Sequence, residues 1–260
     1  MKKNLDTYYY YLRITANLIA QSRFKNKMIL KGGSVLMSKL TECNREDLYR
    51  LTRDLDIHCD KREVWIDFYT NIEKILNTNT LGLVYKLIKR RSAEKGLDTS
   101  DSLKFSILDS NTGEVLEFKI DMNIKSNAII TCDYSPVLNM TTYDLLTMSS
   151  DKIVVVSSKQ IYRRIKDLYD LAVIASLSDY KLSEVRHHLV VKHPNAKLEN
   201  YLIPDNFEQL EHAYNRYDGI ANKPHIGDLI AIDSSFLQPL YIGYGDELVW
   251  EHIRSMWMES

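Results

Sequence analysis

Three sets of side chains in this 260-residue chain have the types and spacing that phosphoryl chemistry needs. Asp54 and Asp56 flank Leu55 in a run that alternates as far as Cys59. Residues two apart on a strand share a face, so both carboxylates project together while Leu55 turns inward. Two carboxylates this close repel unless a cation lies between them, and hard oxygen ligands suit Mg²⁺ or Mn²⁺ carrying substrate phosphates. Asp121 lies within Phe118-Lys119-Ile120-Asp121-Met122-Asn123-Ile124. A carboxylate in an apolar strand is costly to bury unless paired or metal-bound; on a neighbouring strand it would complete a metal site and act as general base on an attacking hydroxyl. Gly32-Gly33-Ser34 precedes a helical pattern, and backbone N–H groups at a helix start receive phosphate. Each feature alone also has a plainer reading, respectively a solvent-facing Asp pair, a rim Asp and a structural connector.

The elements that must position these groups follow from periodicity. Apolar and aromatic residues at helical spacing predict an amphipathic helix over Leu5–Ser22 and a second over Glu63–Leu76. A glycine pair and serine open a helix that continues through Val35 to Leu40, and Leu55–Cys59 reads as a short strand. Leu103–Leu108 and Val115–Ile124, joined by Asp109-Ser110-Asn111-Thr112-Gly113-Glu114, form a hairpin. Leu81–Ile88 fits helix or strand, with Val84 to Ile88 favouring strand. Two helices follow between Thr142 and Leu177, parted near Ser157-Ser158, and residues 181–260 read as further helices with loops at Pro194, Pro204, Pro224 and Pro239. The expected class is α+β, with a mixed sheet flanked by helices over residues 1–140 and a mainly helical domain over 141–260.

Composition bounds the function. With 45% hydrophobic and 27% charged residues, 9 Gly and 5 Pro, the chain is an ordinary globular sequence and not a disordered or collagen-like one. The 34 basic residues against 35 acidic ones exclude a uniformly basic surface, so nucleic acid would need a local patch. Lys86, Lys89, Arg90, Arg91 and Lys95 supply the densest one, with Arg163 and Arg164 as further backbone contacts, although such runs are usually solvated faces. Cys43, Cys59 and Cys132 show neither disulfide nor metal-knuckle spacing, and His187, His188 and His193 lack zinc-like partners. Met1 to Asp6 has no apolar run behind its lysines, and no stretch of membrane-spanning length is present, so a cytoplasmic protein without membrane contact is expected. Lys31 stands on the wrong side of the glycines for a P-loop, and no Gly-x-Ser-x-Gly elbow occurs. Tyrosine is in excess, 17 against 6 Phe; Tyr8, Tyr9, Tyr162 and Tyr169 fit helix packing, while Tyr241 and Tyr244 are free to stack on a base.

The order of the motifs narrows this further. Leu30-Lys31-Gly32-Gly33-Ser34-Val35-Leu36, then Arg50-Leu51-Thr52-Arg53-Asp54-Leu55-Asp56, then Asp121, Lys152 and Arg164-Ile165-Lys166-Asp167-Leu168-Tyr169-Asp170-Leu171 resembles the AbiEii/AbiGii family of nucleotidyltransferase toxins, within the DNA polymerase β-like superfamily. The resemblance runs in patches from about residue 28 to 172. The 19 residues between Ser34 and Asp54 exceed the compact family pattern, which points to an insertion at Thr41–Leu48. The resemblance implies a nucleotidyltransferase-like N-terminal domain and an enzyme that moves an NMP from an NTP to an acceptor hydroxyl. It implies Asp54, Asp56 and Asp121 as catalytic residues and ligands of Mg²⁺ or Mn²⁺. Gly32, Gly33, Ser34, Arg50, Lys152, Lys166 and Asp167 would contact the nucleotide, while Asp170 is favoured as structural. RNA, specifically a tRNA 3′ end, is the implied acceptor, and an antitoxin encoded nearby the implied partner, in a type IV toxin–antitoxin or phage-defence system. Transfer to a protein or small molecule, and a silent partner-binding module, are the alternatives.

Overall fold

The computed structural model describes residues 2–59, 61–95, 98–124, 131–159, 161–243 and 245–259, with the backbone alone at 2–4, 93–95, 98, 99 and 124. The fold is α+β and divides into two compact units, one of Met1–Ser126 with Cys132–Tyr143 and one of Asn127–Thr131 with Asp144–Ser260.

The first unit is built on a mixed sheet. Its strands are β1 (Ile29–Lys31), β2 (Asp54–Cys59), β3 (Leu83–Lys95), β4 (Asp98–Asp109), β5 (Val115–Ile124), β6 (Cys132–Ser135) and β7 (Met140–Tyr143), in the order β3-β4-β5-β2-β1-β7-β6 among the described residues. Strands β2 and β5 are parallel, as are β1 and β7; the remaining neighbours are antiparallel. The expected hairpin is β4–β5, and the ambiguous stretch after Leu81 is strand β3, longer than the periodicity indicated.

Helix α1 (Lys2–Ala20) buries Leu5, Tyr9, Leu12, Ala16 and Ile19, spaced at three and four residues, and α3 (Arg62–Leu76) buries Trp65, Phe68, Ile72 and Leu76. These stripes and the alternate residues Leu55, Ile57, Leu103, Phe105, Phe118 and Ile120 form the core. Phe105 stacks on Phe118 at 5.5 Å, and Phe68 meets Phe24 edge-on at 5.2 Å. Much of the tyrosine excess is absorbed by packing, with Tyr9 edge-on to Tyr49, Tyr85 fully buried and Tyr11 donating to Asp109 Oδ2.

The second unit holds α4 (Leu145–Val156), α5 (Ile165–Ala175), α6 (Leu182–Lys192), α7 (Phe207–Arg216) and α8 (Ile226–Ile242). A small sheet of β8 (Tyr180–Lys181), β9 (Leu248–Glu251) and β10 (Met256–Glu259), ordered β10-β9-β8, accompanies them. Three sequence expectations are corrected here. Pro239 is not in a loop: it lies in the last turn of α8, which ends at left-handed Gly243 (φ 73°). There the burial of Phe236, Leu237 and Pro239 outweighs one lost backbone donor. The β9–β10 hairpin was not legible, because its strands have four residues each and its turn sets Ser255, not glycine, at φ 51°. Trp250 seals it, fully buried with Nε1 donating to Ala175 O at 2.7 Å. Tyr241 is not free to stack, since its hydroxyl is 2.9 Å from Ser157 Oγ; Tyr244 lies outside the described residues.

Candidate active site

Strand β1 runs directly into α2 (Gly32–Glu42). Gly32 makes that junction at φ 73°, a conformation L side chains rarely adopt, and a Cβ there would overlap the Asp56 carboxylate. A Cβ on Gly33 would stand 2.9 Å from Arg50 Nη2 and from Thr52 Oγ1. Arg50 is thus packed beneath the glycine pair, buried to 4% exposure, with Nη1 donating to Leu51 O. The first N–H groups of α2 receive no side-chain cap from Lys31, the residue that precedes the helix. Ser34, in the first turn, is fully buried and its Oγ has no hydrogen-bond partner among the described residues. An uncapped helix N-terminus with an unsatisfied buried hydroxyl has the donor chemistry for a phosphate. Thr41 belongs to the end of α2 and its hydroxyl meets that of Tyr49, which ties the expected insertion segment back onto the helix.

The parallel pairing of β2 with β5 sets Asp56 opposite Asp121 and Asp54 opposite Lys119. Partners in register share a face, so all four side chains project from the same side of the sheet. Asp54 Oδ1 is 4.0 Å from Lys119 Nζ. Asp121 Oδ1 is buried and has no hydrogen-bond partner among the described residues. Asp56 and Asp121 line a trough of ≈ 750 Å³ together with Lys89, Arg91, Lys104, Lys119 and serines of β3 and β4. No group of three or more His, Cys, Asp or Glu side chains able to hold a metal ion occurs among the described residues. Mg²⁺, however, is held by one or two carboxylates plus substrate phosphates in phosphoryl-transfer sites, so the Asp56–Asp121 pair fits that ion.

The basic run is divided by the sheet. Leu87 pairs with Phe105 but Lys89 with Lys104, so a β-bulge falls at Ile88. Beyond it Arg90 faces α3, where it lies 3.8 Å over the Tyr69 ring and 3.0 Å from the buried Asp101, while Lys89 and Arg91 line the trough. The Lys95 side chain is outside the described residues. Sequence reading missed Lys104 and Lys119. The signal was present, since Lys119 stands two residues before Asp121 on one strand and therefore shares its face.

In the second unit Lys152 of α4 sits between two carboxylates of α5, with Nζ 2.6 Å from both Asp167 Oδ1 and Asp170 Oδ2. All three residues are buried, and Arg164 Nε approaches Asp167 Oδ2 at 2.7 Å. The network fastens α4 to α5. Lys166 is partly exposed on the first turn of α5 and has no ion pair among the described residues. Likewise His188 Nε2 meets Thr131 Oγ1, and His193 pairs with Asp151. No helix among the described residues is long and apolar enough to cross a membrane.

Comparison with known proteins follows the same motifs. The family model of the nucleotidyl transferase AbiEii toxin, type IV TA system, matches residues 13–228. None of the curated proteins matches. Among solved structures, JHP933 from Helicobacter pylori aligns over 94% of this chain and 97% of its own, at 14% identity and a TM-score of 0.47. The Megavirus polyadenylate synthase aligns over 94% of this chain and 45% of its own, at 8% identity and a TM-score of 0.35. With the model covering most of the length and every motif from the glycine pair to the Lys152–Asp170 network, the chain belongs to the AbiEii family of nucleotidyltransferase toxins of type IV toxin–antitoxin systems.

Proposed function

We propose that the protein transfers an NMP from a Mg²⁺-bound NTP to a hydroxyl of RNA, a tRNA 3′ end being the acceptor class, and that this arrests growth until an antitoxin restrains it. The observation that carries the reading is the buried Asp121 oxygen, without a hydrogen-bond partner among the described residues and set in register beside Asp56, with the α2 start that Lys31 leaves uncapped. In this reading the α2 N-terminus, with Gly32, Gly33 and Ser34, binds the β- and γ-phosphates. Arg50 holds that turn from below and Gly32 leaves room for the Asp56 carboxylate. Asp56 and Asp121, with Asp54 beside them, would hold the metal, which when bound neutralises charge on the triphosphate. Asp121 accepts the proton of the acceptor hydroxyl. The hydroxyl oxygen then bonds to the α-phosphorus as the bond to the β-phosphate oxygen breaks, and pyrophosphate leaves with that electron pair. Lys152 and Asp167 act by keeping α4 and α5 in place.

The test is incubation of the purified protein with total RNA, Mg²⁺ and each α-labelled NTP in turn, followed by separation of RNA from protein. Label in the RNA fraction is expected, from one NTP more than the others. Label in the protein fraction alone would contradict the acceptor assignment.

A further inference from the structure

The face of the sheet that bears the carboxylates carries a cross-strand ladder of like charges. Lys89 pairs with Lys104, Lys104 with Lys119, and Lys119 with Asp54, so three lysines on β3, β4 and β5 stand side by side and end at the first site aspartate. The next row reads Arg91, Ser102, Asp121, Asp56. On the other side of Lys89, Lys86 pairs with Ser106 and is exposed. Like charges directly opposite one another destabilise a sheet. Of the three lysines, Lys104 is relieved by Glu117 at 2.6 Å and Lys119 weakly by Asp54 at 4.0 Å, whereas Lys89 and Arg91 have no ion pair among the described residues. The bulge at Ile88 makes the row: an unbroken strand would set Ile88 opposite Lys104 and turn Lys89 and Arg91 toward α3.

Position in the sheet indicates what anion the row meets. In the order β3-β4-β5-β2-β1, the glycine loop leaves β1 on one side of the carboxylates, and the lysines occupy β5, β4 and β3 on the other. Phosphoryl transfer places the attacking and leaving oxygens in line on opposite sides of the phosphorus. A triphosphate bound at α2 therefore leaves on the β1 side, and the acceptor arrives from the lysine side.

We propose that Lys86, Lys89, Arg91, Lys104 and Lys119 form a phosphate track that holds the single-stranded backbone of the acceptor RNA and delivers its terminal hydroxyl to Asp121. This rests on the nucleotidyl-transfer reading of the carboxylates. The trough's volume and its extent over four strands exceed what one phosphate needs, and its serines at 100 and 102 add hydrogen-bond donors for backbone oxygens.

The test measures binding apart from catalysis. Fluorescence anisotropy with a labelled single-stranded oligoribonucleotide is compared between the wild type and a Lys89→Ala/Arg91→Ala variant, across a salt titration, with Mg²⁺–NTP thermal shifts on both. Neither residue has an ion pair among the described residues, so folding should be retained, which matched melting temperatures check. The variant is expected to bind RNA about tenfold more weakly at moderate salt, with the slope of log K against log salt reduced by about 1.4, while its NTP-induced shift is unchanged. An unchanged RNA affinity and slope, or an equal loss of NTP binding, overturns the proposal. If the wild type binds RNA along this track yet labels only protein, the acceptor reading fails while the track stands.

Discussion

Single atoms in the site set constraints that substitution can expose. Gly32 combines a positive φ with a neighbouring carboxylate where its Cβ would be. Gly32→Ala is therefore expected to lower stability by about 1–3 kcal/mol and to displace Asp56, reducing label transfer by far more than the loss of folded protein explains; denaturation and rate measured on the same preparation separate the two. Asp101 shows how the basic run serves structure as well. Burial alone would raise its carboxyl, but hydrogen bonds from Ser92, Trp65 and Arg90, with the Arg90 charge, hold it below the ordinary value. A depressed carboxyl contributes stability that is present above the unfolded pKa, near 3.9, and is lost as pH falls through the folded one. Arg90→Met should thus be less stable than wild type at pH near 7, and the gap should narrow in urea melts taken below about pH 4.

At the scale of elements, the second unit contains two buried polar arrangements, one with its carboxylates compensated by a cation and one without. Lys152 compensates Asp167 and Asp170, both almost fully buried. Lys152→Met removes the cation the two carboxylates share, leaving Asp167 the partly exposed Arg164, and is expected to cost about 3–5 kcal/mol, read as a drop in melting temperature. Asp233 in the middle of α8 is fully buried and neither of its oxygens has a hydrogen-bond partner among the described residues, so burial pushes its carboxyl well above the ordinary range. A raised carboxyl contributes stability below the unfolded pKa that is lost as pH rises toward the folded one. Asp233→Asn should match wild type near pH 4 and exceed it at higher pH, by about 1.4 kcal/mol per pH unit until the folded value is reached. Equal pH profiles for the two proteins would contradict this.

For the whole molecule, the part of the site legible in the sequence is the part fixed by strand alternation and a glycine pair. Asp54 and Asp56 could be placed on one face because residues two apart on a strand must share it, whereas the register that sets Asp121 opposite Asp56 comes from the pairing of β2 with β5. The apolar stripes of α1 and α3 were equally readable, since burial of Leu12, Ile19, Phe68 and Ile72 follows helical spacing. What escaped depends on pairing between segments distant in sequence. A bulge is invisible without its partner strand, so Arg90 looked equivalent to Lys89 and Arg91 although it faces the opposite side. The Lys152 network was not legible because its two carboxylates lie 15 and 18 residues away on another helix. The β9–β10 hairpin has too few residues and the wrong turn residue to announce itself. The central claim nevertheless concerns one pair of side chains, Asp56 and Asp121, which the fold brings together from positions 65 residues apart. Its most direct measurement is the rate of α-labelled NMP transfer to RNA by Asp121→Asn, in a preparation whose melting temperature equals or exceeds that of the wild type. Asparagine keeps the shape and removes the charge and the base; the expected result is a loss of at least about 10²-fold with folding intact. Transfer at the wild-type rate would contradict the account.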